Sequence, residues 1–204
     1  MELKNTVHVG QISTSDLKLR KNKEAFPVIK VLEGQIVTEE ILVEIPGGEF
    51  FTPDAKSKKI AVVERHGRTG QIGVGVITNF AINGGAIASS VAHDSHNIIV
   101  IGDNDEDMLI AINELLRTQG GYTIVANGQV YDTLELPILG LISDAGYECV
   151  TSKVAIMTKK SYEMGLSKEI DPFTTLSFMA LPVIPELRIT PRGLYRVREK
   201  ELFR

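Results

Sequence analysis

Tryptophan is absent from this sequence of 204 residues, and cysteine occurs only once, as Cys149. A single cysteine excludes a disulfide within the chain and a zinc site of the CxxC type. Lysine and arginine form no long run, and the formal net charge is -4. We therefore expect no base-stacking surface, no binding to a phosphate backbone and no nucleic-acid partner.

Long apolar runs are also missing. The longest, such as residues 98–101, are far too short to cross a bilayer, and the N-terminal residues contain no apolar core of signal-peptide length. We therefore predict no membrane partner. A single cysteine is compatible with the reducing cytoplasm, which is the location we expect.

The chain is predicted to consist of a polar N-terminal segment, residues 1–25, and one domain over residues 26–204. Four basic side chains predict that the segment is solvated: Lys18, Arg20, Lys21 and Lys23. After Pro27 the sequence becomes rich in β-branched residues, which favour strands. The predicted strands cover residues 28–32, 35–45, 60–63, 74–77, 86–91 and 97–101, and Pro46-Gly47-Gly48 ends the second of them.

The clearest helix is predicted to begin after Gly102, with Asp103 as its N-cap and Glu106 completing a capping box. Gly120-Gly121 is a typical helix end. Between these limits, apolar residues recur at helical spacing and predict one buried stripe, which consists of Met108, Ala111, Ile112, Leu115 and Leu116.

The second half of the chain predicts a hairpin, one further helix and irregular connections. Asn127-Gly128 supplies the positive φ angles of a tight turn between residues 122–125 and 129–134. A helical pattern covers residues 147–166, and four later prolines predict loops and short turns: Pro172, Pro182, Pro185 and Pro191. Because runs of strands precede the helices, we expect an α+β fold with a mixed, largely antiparallel sheet and a few packed helices.

The most informative polar stretch lies between two apolar strands and contains His93, Asp94 and His96. Three interpretations are open. The loop could act on a ligand or a partner domain, or it could form a structural network in which the polar groups satisfy one another. It could also bind a metal ion, with Asp94, Glu64 or His66 completing a site begun by the two histidines. Glu64 and His66 end a predicted strand, where side chains often project into a cleft, although an ordinary exposed strand end has the same pattern.

Several segments of the chain resemble the C-terminal region of adenine deaminases. They occur in the family's order and extend from about Asn5 to Val197. The matching stretches are residues 35–40, 59–66, 85–100, 104–108, 136–144 and 176–187, and the third of these contains the His93-Asp94-Ser95-His96 loop.

The resemblance implies a part in the hydrolysis of adenine to hypoxanthine and ammonia. Members of this amidohydrolase family carry a pair of manganese or iron ions in a TIM-like barrel, where the metals activate a water molecule. The barrel lies upstream of the matching region, and the His-x-His motif that opens its metal site is missing from these 204 residues. We therefore expect a chain without the barrel, with no metal site of its own and no activity when isolated.

The resemblance also suggests what the candidate site residues do. His93, Asp94, His96, Glu64 and His66 are expected to reach the mouth of a partner barrel and to position or shield adenine, rather than to bind the metals. The expected partners are adenine, the metal-bearing barrel domain and further copies of the chain in a homo-oligomer. The alternatives are a stand-alone binding or assembly module without catalytic activity and a metallohydrolase complete in itself.

Overall fold

Eight strands pair into one mixed sheet in the computed structural model, which describes residues 3–21, 25–44 and 48–203. The sheet order is β2-β1-β4-β3-β6-β5-β7-β8, and every neighbouring pair is antiparallel except β1 and β4. The strands are β1 Ala25–Val31, β2 Thr38–Glu44, β3 Ser57–Val63, β4 Ile72–Thr78, β5 Gly85–Ser89, β6 Ile98–Gly102, β7 Gly121–Ala126 and β8 Gln129–Glu135.

Three α-helices and a second, smaller sheet complete the described part of the chain. The helices are α1 Asp105–Arg117, α2 Tyr147–Glu163 and α3 Pro172–Met179. The small sheet has the order β11-β10-β9, formed by β9 Leu187–Thr190, β10 Gly193–Arg196 and β11 Glu201–Phe203. This α+β architecture with a largely antiparallel sheet confirms the predicted fold class, and no closed barrel occurs in the ranges that the structure describes.

Side chains are buried on both faces of the central sheet. Alternate residues of β3, such as Ala61 and Val63, pack with the stripe of α1 on one face. Ile60 and Val62 point to the other face, which α2, α3 and the small sheet cover. Burial on both faces explains why β3 has an almost continuous apolar sequence rather than a clean alternation.

The N-terminal segment contributes to this core as well as to the surface. Val7 and Leu17 are buried on the α1 side of the sheet, whereas Lys18 and Arg20 are exposed. Lys23, which was part of the predicted solvated stretch, lies outside the described residues. Of the described helices, none has the length and apolarity that a bilayer span requires.

The hairpin and the second helix are confirmed, because β7 and β8 pair through Asn127-Gly128 and α2 begins at Tyr147. The N-cap prediction for α1 is wrong by one residue. Asn104 caps the helix by accepting the N–H of Asp107 at 2.7 Å. The Asp103 carboxylate instead accepts two backbone N–H groups at the start of β5, so it does not cap the helix.

Two other expectations also need correction. The strand predicted over residues 35–45 begins at Thr38 and is described as far as Glu44; residues 45–47 lie outside the described ranges. The proline-rich final part is not only loops and turns, because it contains α3 and the small sheet. Pro172 occupies the first turn of α3, where its missing N–H costs no helical hydrogen bond, and Asp171 caps the helix.

Candidate functional site

The histidine loop, defined here as residues 92–97, connects β5 to β6 at one end of the central sheet. Because Val63 of β3 pairs with Ile98 of β6, the residues that follow β3 lie beside this loop. A direct contact joins the two segments, since His66 Nε2 lies 2.7 Å from the backbone oxygen of Ser95. The structure thus brings together His66 and the loop that contains His93, Asp94 and His96.

Backbone hydrogen bonds anchor the histidine loop. The N–H of His93 donates to the Ser177 carbonyl of α3 at 3.2 Å, and the N–H of His96 donates to the Ala92 carbonyl at 2.6 Å. His96 has a positive φ of 49°, a backbone region that costs energy for a residue other than glycine. This strain within a well-anchored polar loop is typical of a functional segment.

The two loop histidines face each other on an accessible surface. Their ring centroids are 5.9 Å apart, and the His93 ring also packs against Phe178 with a centroid distance of 5.1 Å. Both histidines are half-buried, whereas Asp94 and His66 are exposed. The arrangement therefore offers two imidazoles that are held in place but remain reachable from outside the domain.

His96 retains an unused hydrogen-bonding atom. Its Nδ1 is buried and has no hydrogen-bond partner within the described part of the chain. Burial, reinforced by the positive charge of Arg65, lowers the pKa of His96 below its ordinary value. At neutral pH the imidazole is therefore uncharged, and Nδ1 can accept or donate one hydrogen bond according to its tautomer.

Arg65 connects the histidine loop to a neighbouring turn, and the sequence analysis did not select it as a site residue. Its side chain is only 2% exposed. Nε donates to the His96 carbonyl, and Nη2 donates to the Leu139 carbonyl at 2.9 Å. No signal in the sequence marks this residue, because β3 is buried on both faces and its alternation does not distinguish an inner row.

The contacts of Arg65 also explain the glycine at position 140. A Cβ at Gly140 would overlap the Arg65 guanidinium, and the residue has a positive φ of 69°. Ser90 Oγ donates to the Gly140 carbonyl at 2.6 Å, which fixes the same turn from the other side. Arg65 therefore connects the histidine loop with the turn at residues 138–142.

Glu64 lies next to these groups, but its carboxylate is directed into its own loop. It accepts the backbone N–H groups of His66 at 2.7 Å, Thr69 at 2.9 Å, Arg68 at 3.0 Å and Gly70 at 3.2 Å. Burial alone would raise the pKa of Glu64, but these donors outweigh it and hold the pKa at about 2. Glu64 is therefore ionised at neutral pH and stabilises the loop that presents His66.

Replacing Glu64 by glutamine is expected to reduce the free energy of unfolding by about 2 kcal/mol at neutral pH, because charge-assisted hydrogen bonds are lost. The folded pKa of about 2 lies below the ordinary 4.5, so the carboxylate's contribution is complete above pH 4.5. It disappears as the pH falls from 4.5 through about 2. Urea unfolding of both proteins across this pH range measures the difference between their free energies of unfolding. A difference that does not change with pH would contradict a stabilising role of the ionised Glu64 carboxylate.

Among the described residues, the histidine loop and its neighbours form no cluster of potential metal ligands. Residues 3–21, 25–44 and 48–203 contain no group of three or more His, Cys, Asp or Glu side chains that could hold a metal ion. A cleft of about 480 Å³ lies elsewhere, between the start of β4 and the β9–β10 turn, and its described lining contains none of the four histidines.

Comparison with known proteins identifies the family of this fold. The sequence pattern of the adenine deaminase C-terminal domain matches residues 35–201. The chain belongs to this family. The resemblance inferred from the sequence motifs is thereby confirmed.

The relatives of this adenine deaminase C-terminal domain are considerably longer proteins. All 204 residues match an adenine deaminase of Desulfitobacterium hafniense at 48% identity, covering 36% of that protein. An adenine deaminase of Clostridium acetobutylicum is 44% identical over 200 residues, which are 96% of this chain and 35% of the relative. Adenine deaminase 2 of Carboxydothermus hydrogenoformans is 44% identical over 198 residues, with the same coverage of each chain. The chain thus spans about a third of the length of these relatives.

Proposed function

We propose that this chain is the C-terminal part of an enzyme that hydrolyses adenine to hypoxanthine and ammonia. The other part is a TIM-like barrel that carries the metals and supplies the activated water. The observation that carries the proposal is a whole-chain match, at 48% identity, to one third of a protein named adenine deaminase. Membership of the C-terminal domain family also supports an enzyme in which this domain is separate from the metal-bearing barrel.

Within this enzyme, the histidine loop positions adenine at the mouth of the barrel or shields it from water. The uncharged ring of His96 is half-buried, and the ring of His93 lies 5.9 Å away, so the accessible edges of two imidazoles can meet the edge of a purine. Purine edges carry both hydrogen-bond donors and acceptors, which an uncharged imidazole can match. His66 contacts the loop, which also contains Asp94, and Glu64 acts by holding the segment that contains His66.

Manganese or iron is proposed as the cofactor of the complete enzyme, bound by the barrel. The described side chains of this chain do not fit a resident metal pair, because they include no group of three potential ligands. The metal pair would activate the attacking water when bound in the barrel. The residues of this chain hold and orient the substrate edge that faces them.

We also propose a cytoplasmic location and a homo-oligomeric state for the complete enzyme. The single cysteine supports a reducing compartment. Closed assemblies of identical subunits are common among soluble enzymes, which favours the oligomer. Sedimentation of the purified enzyme would measure the number of subunits.

A full-length fusion tests the proposed function. In this fusion the chain replaces the matching third of the Desulfitobacterium hafniense protein. With manganese present, it is expected to release ammonia from adenine at a rate near that of the unmodified relative. A folded fusion that binds manganese and releases no ammonia would instead favour the alternative, a binding or assembly module without catalytic activity.

A further inference from the structure

An apolar patch lies at the turn of residues 138–142, which Arg65 connects to the histidine loop. It consists of Leu3, Leu139 and Ile142, all of which are exposed. The N–H of Leu139 donates to the Leu3 carbonyl at 2.7 Å, and the bond from Ile142 N–H to the Ile138 carbonyl at 3.0 Å closes the turn. These contacts hold the backbone of the three residues together.

The apolar patch is directly connected to the candidate site. The Leu139 carbonyl accepts from Arg65, and the same guanidinium donates to the carbonyl of His96. An ion pair between Lys4 and Asp144, 2.8 Å long, lies at the edge of the patch with both side chains solvent-accessible. An apolar centre with a polar rim is the usual composition of a docking surface.

We infer that the apolar patch is where the barrel domain of the complete enzyme docks, an inference that rests on the proposed function. The match covers the whole chain but only 36% of the Desulfitobacterium hafniense protein, and it corresponds to a C-terminal domain. In such a relative the remaining domain therefore precedes the match. In that protein it adjoins the region equivalent to this chain near the position that matches Leu3, which is itself part of the patch. Docking there sets the histidine loop against the barrel and covers the exposed apolar side chains.

Oxidative footprinting of side chains by hydroxyl radicals tests this inference. In the isolated chain, Ile142 is 54% exposed and Leu42, on edge strand β2, is 65% exposed. Three strands separate β2 from β6, so Leu42 is a matched apolar control far from the patch. In the full-length fusion, Ile142 is expected to oxidise about fivefold more slowly than in the isolated chain, because an interface core excludes water. Leu42 is expected to react equally in both.

Two results would overturn the inference. Ile142 could oxidise equally fast in the fusion and in the isolated chain, or it could be protected in the isolated chain as the protein concentration rises. The second result would identify another copy of this chain as the occupant. Ammonia release from the same sample separates the two proposals, since an active fusion with a reactive Ile142 rejects only the docking surface. A protected Ile142 in an inactive fusion supports the surface and rejects the activity.

Substitutions in the fusion provide an independent measurement. Ile142→Asp is expected to lower kcat about tenfold, because a charge in a docked apolar surface displaces the domain. Leu42→Asp adds the same charge at a similarly exposed site and should preserve the parental kcat. Equal kcat values in the two variants would also overturn the inference.

Discussion

Alanine at His93 or at His96 is expected to lower the kcat of the full-length fusion for adenine by about 100-fold, the loss that misplacing a substrate commonly causes. His96 offers a neutral, half-buried ring, and His93 packs beside it against Phe178. Removal of either imidazole takes away a group that orients the purine. Steady-state ammonia release at varied adenine concentration separates effects on kcat from effects on KM.

His8→Ala is the matched control for these two variants. The His8 side chain is exposed on the same face, and its backbone N–H, which donates to the Arg65 carbonyl at 2.7 Å, survives the substitution. The control should therefore retain the parental kcat. Parental kinetics in both loop variants would remove the substrate-positioning role from the histidine loop.

Gly140→Ala is expected to reduce the free energy of unfolding by about 3 kcal/mol. A Cβ at this position displaces the Arg65 guanidinium, whose charge-assisted hydrogen bonds contribute about 2 kcal/mol. The positive φ of 69° adds about 1 kcal/mol for any residue with a side chain. Because Arg65 also holds the His96 carbonyl, the kcat of the fusion should fall in the same variant.

Gly34→Ala separates the two contributions to this loss. Gly34 has a similar φ of 66°, but nothing lies within 4 Å of a Cβ built there. Its substitution should cost only the backbone part, about 1 kcal/mol. Urea unfolding of the isolated chain measures both variants. Equal losses of unfolding free energy in the two variants would show that a Cβ at position 140 does not disturb the hydrogen bonds of Arg65.

Local sequence signals predicted the parts of the fold that depend on neighbouring residues. The stripe of α1 and the Asn127-Gly128 turn follow from periodicity and turn chemistry within a few positions. The N-cap of α1 was misplaced because two adjacent residues, Asp103 and Asn104, are both good caps. The choice between them depends on a distant contact, in which Asp103 accepts the N–H groups of Gly84 and Gly85.

The proline-rich final part shows a different limit. Prolines at element ends look the same in sequence as prolines in loops, and Pro172 begins a helix. The three short strands of the small sheet have too few residues for a clear alternation. They are stabilised by packing on β4, where Gly73 is needed because a Cβ would overlap the Thr190 carbonyl.

The candidate site was predictable only in part. His93, Asp94 and His96 are neighbours in sequence, so their concentration in one loop is visible without a structure. The approach of His66 depends on the pairing of β3 with β6, which joins residues more than 30 positions apart. The burial of Arg65 and the four N–H donors around Glu64 arise from tertiary contacts that no short motif encodes.

Ammonia release by the purified 204-residue chain, mixed with adenine and manganese, is the most direct test of the account. The central claim is that this domain orients a purine but depends on a separate barrel for the metal-activated water. The isolated chain should therefore produce no ammonia above the rate without protein. Sustained turnover of adenine by this chain alone would contradict the claim.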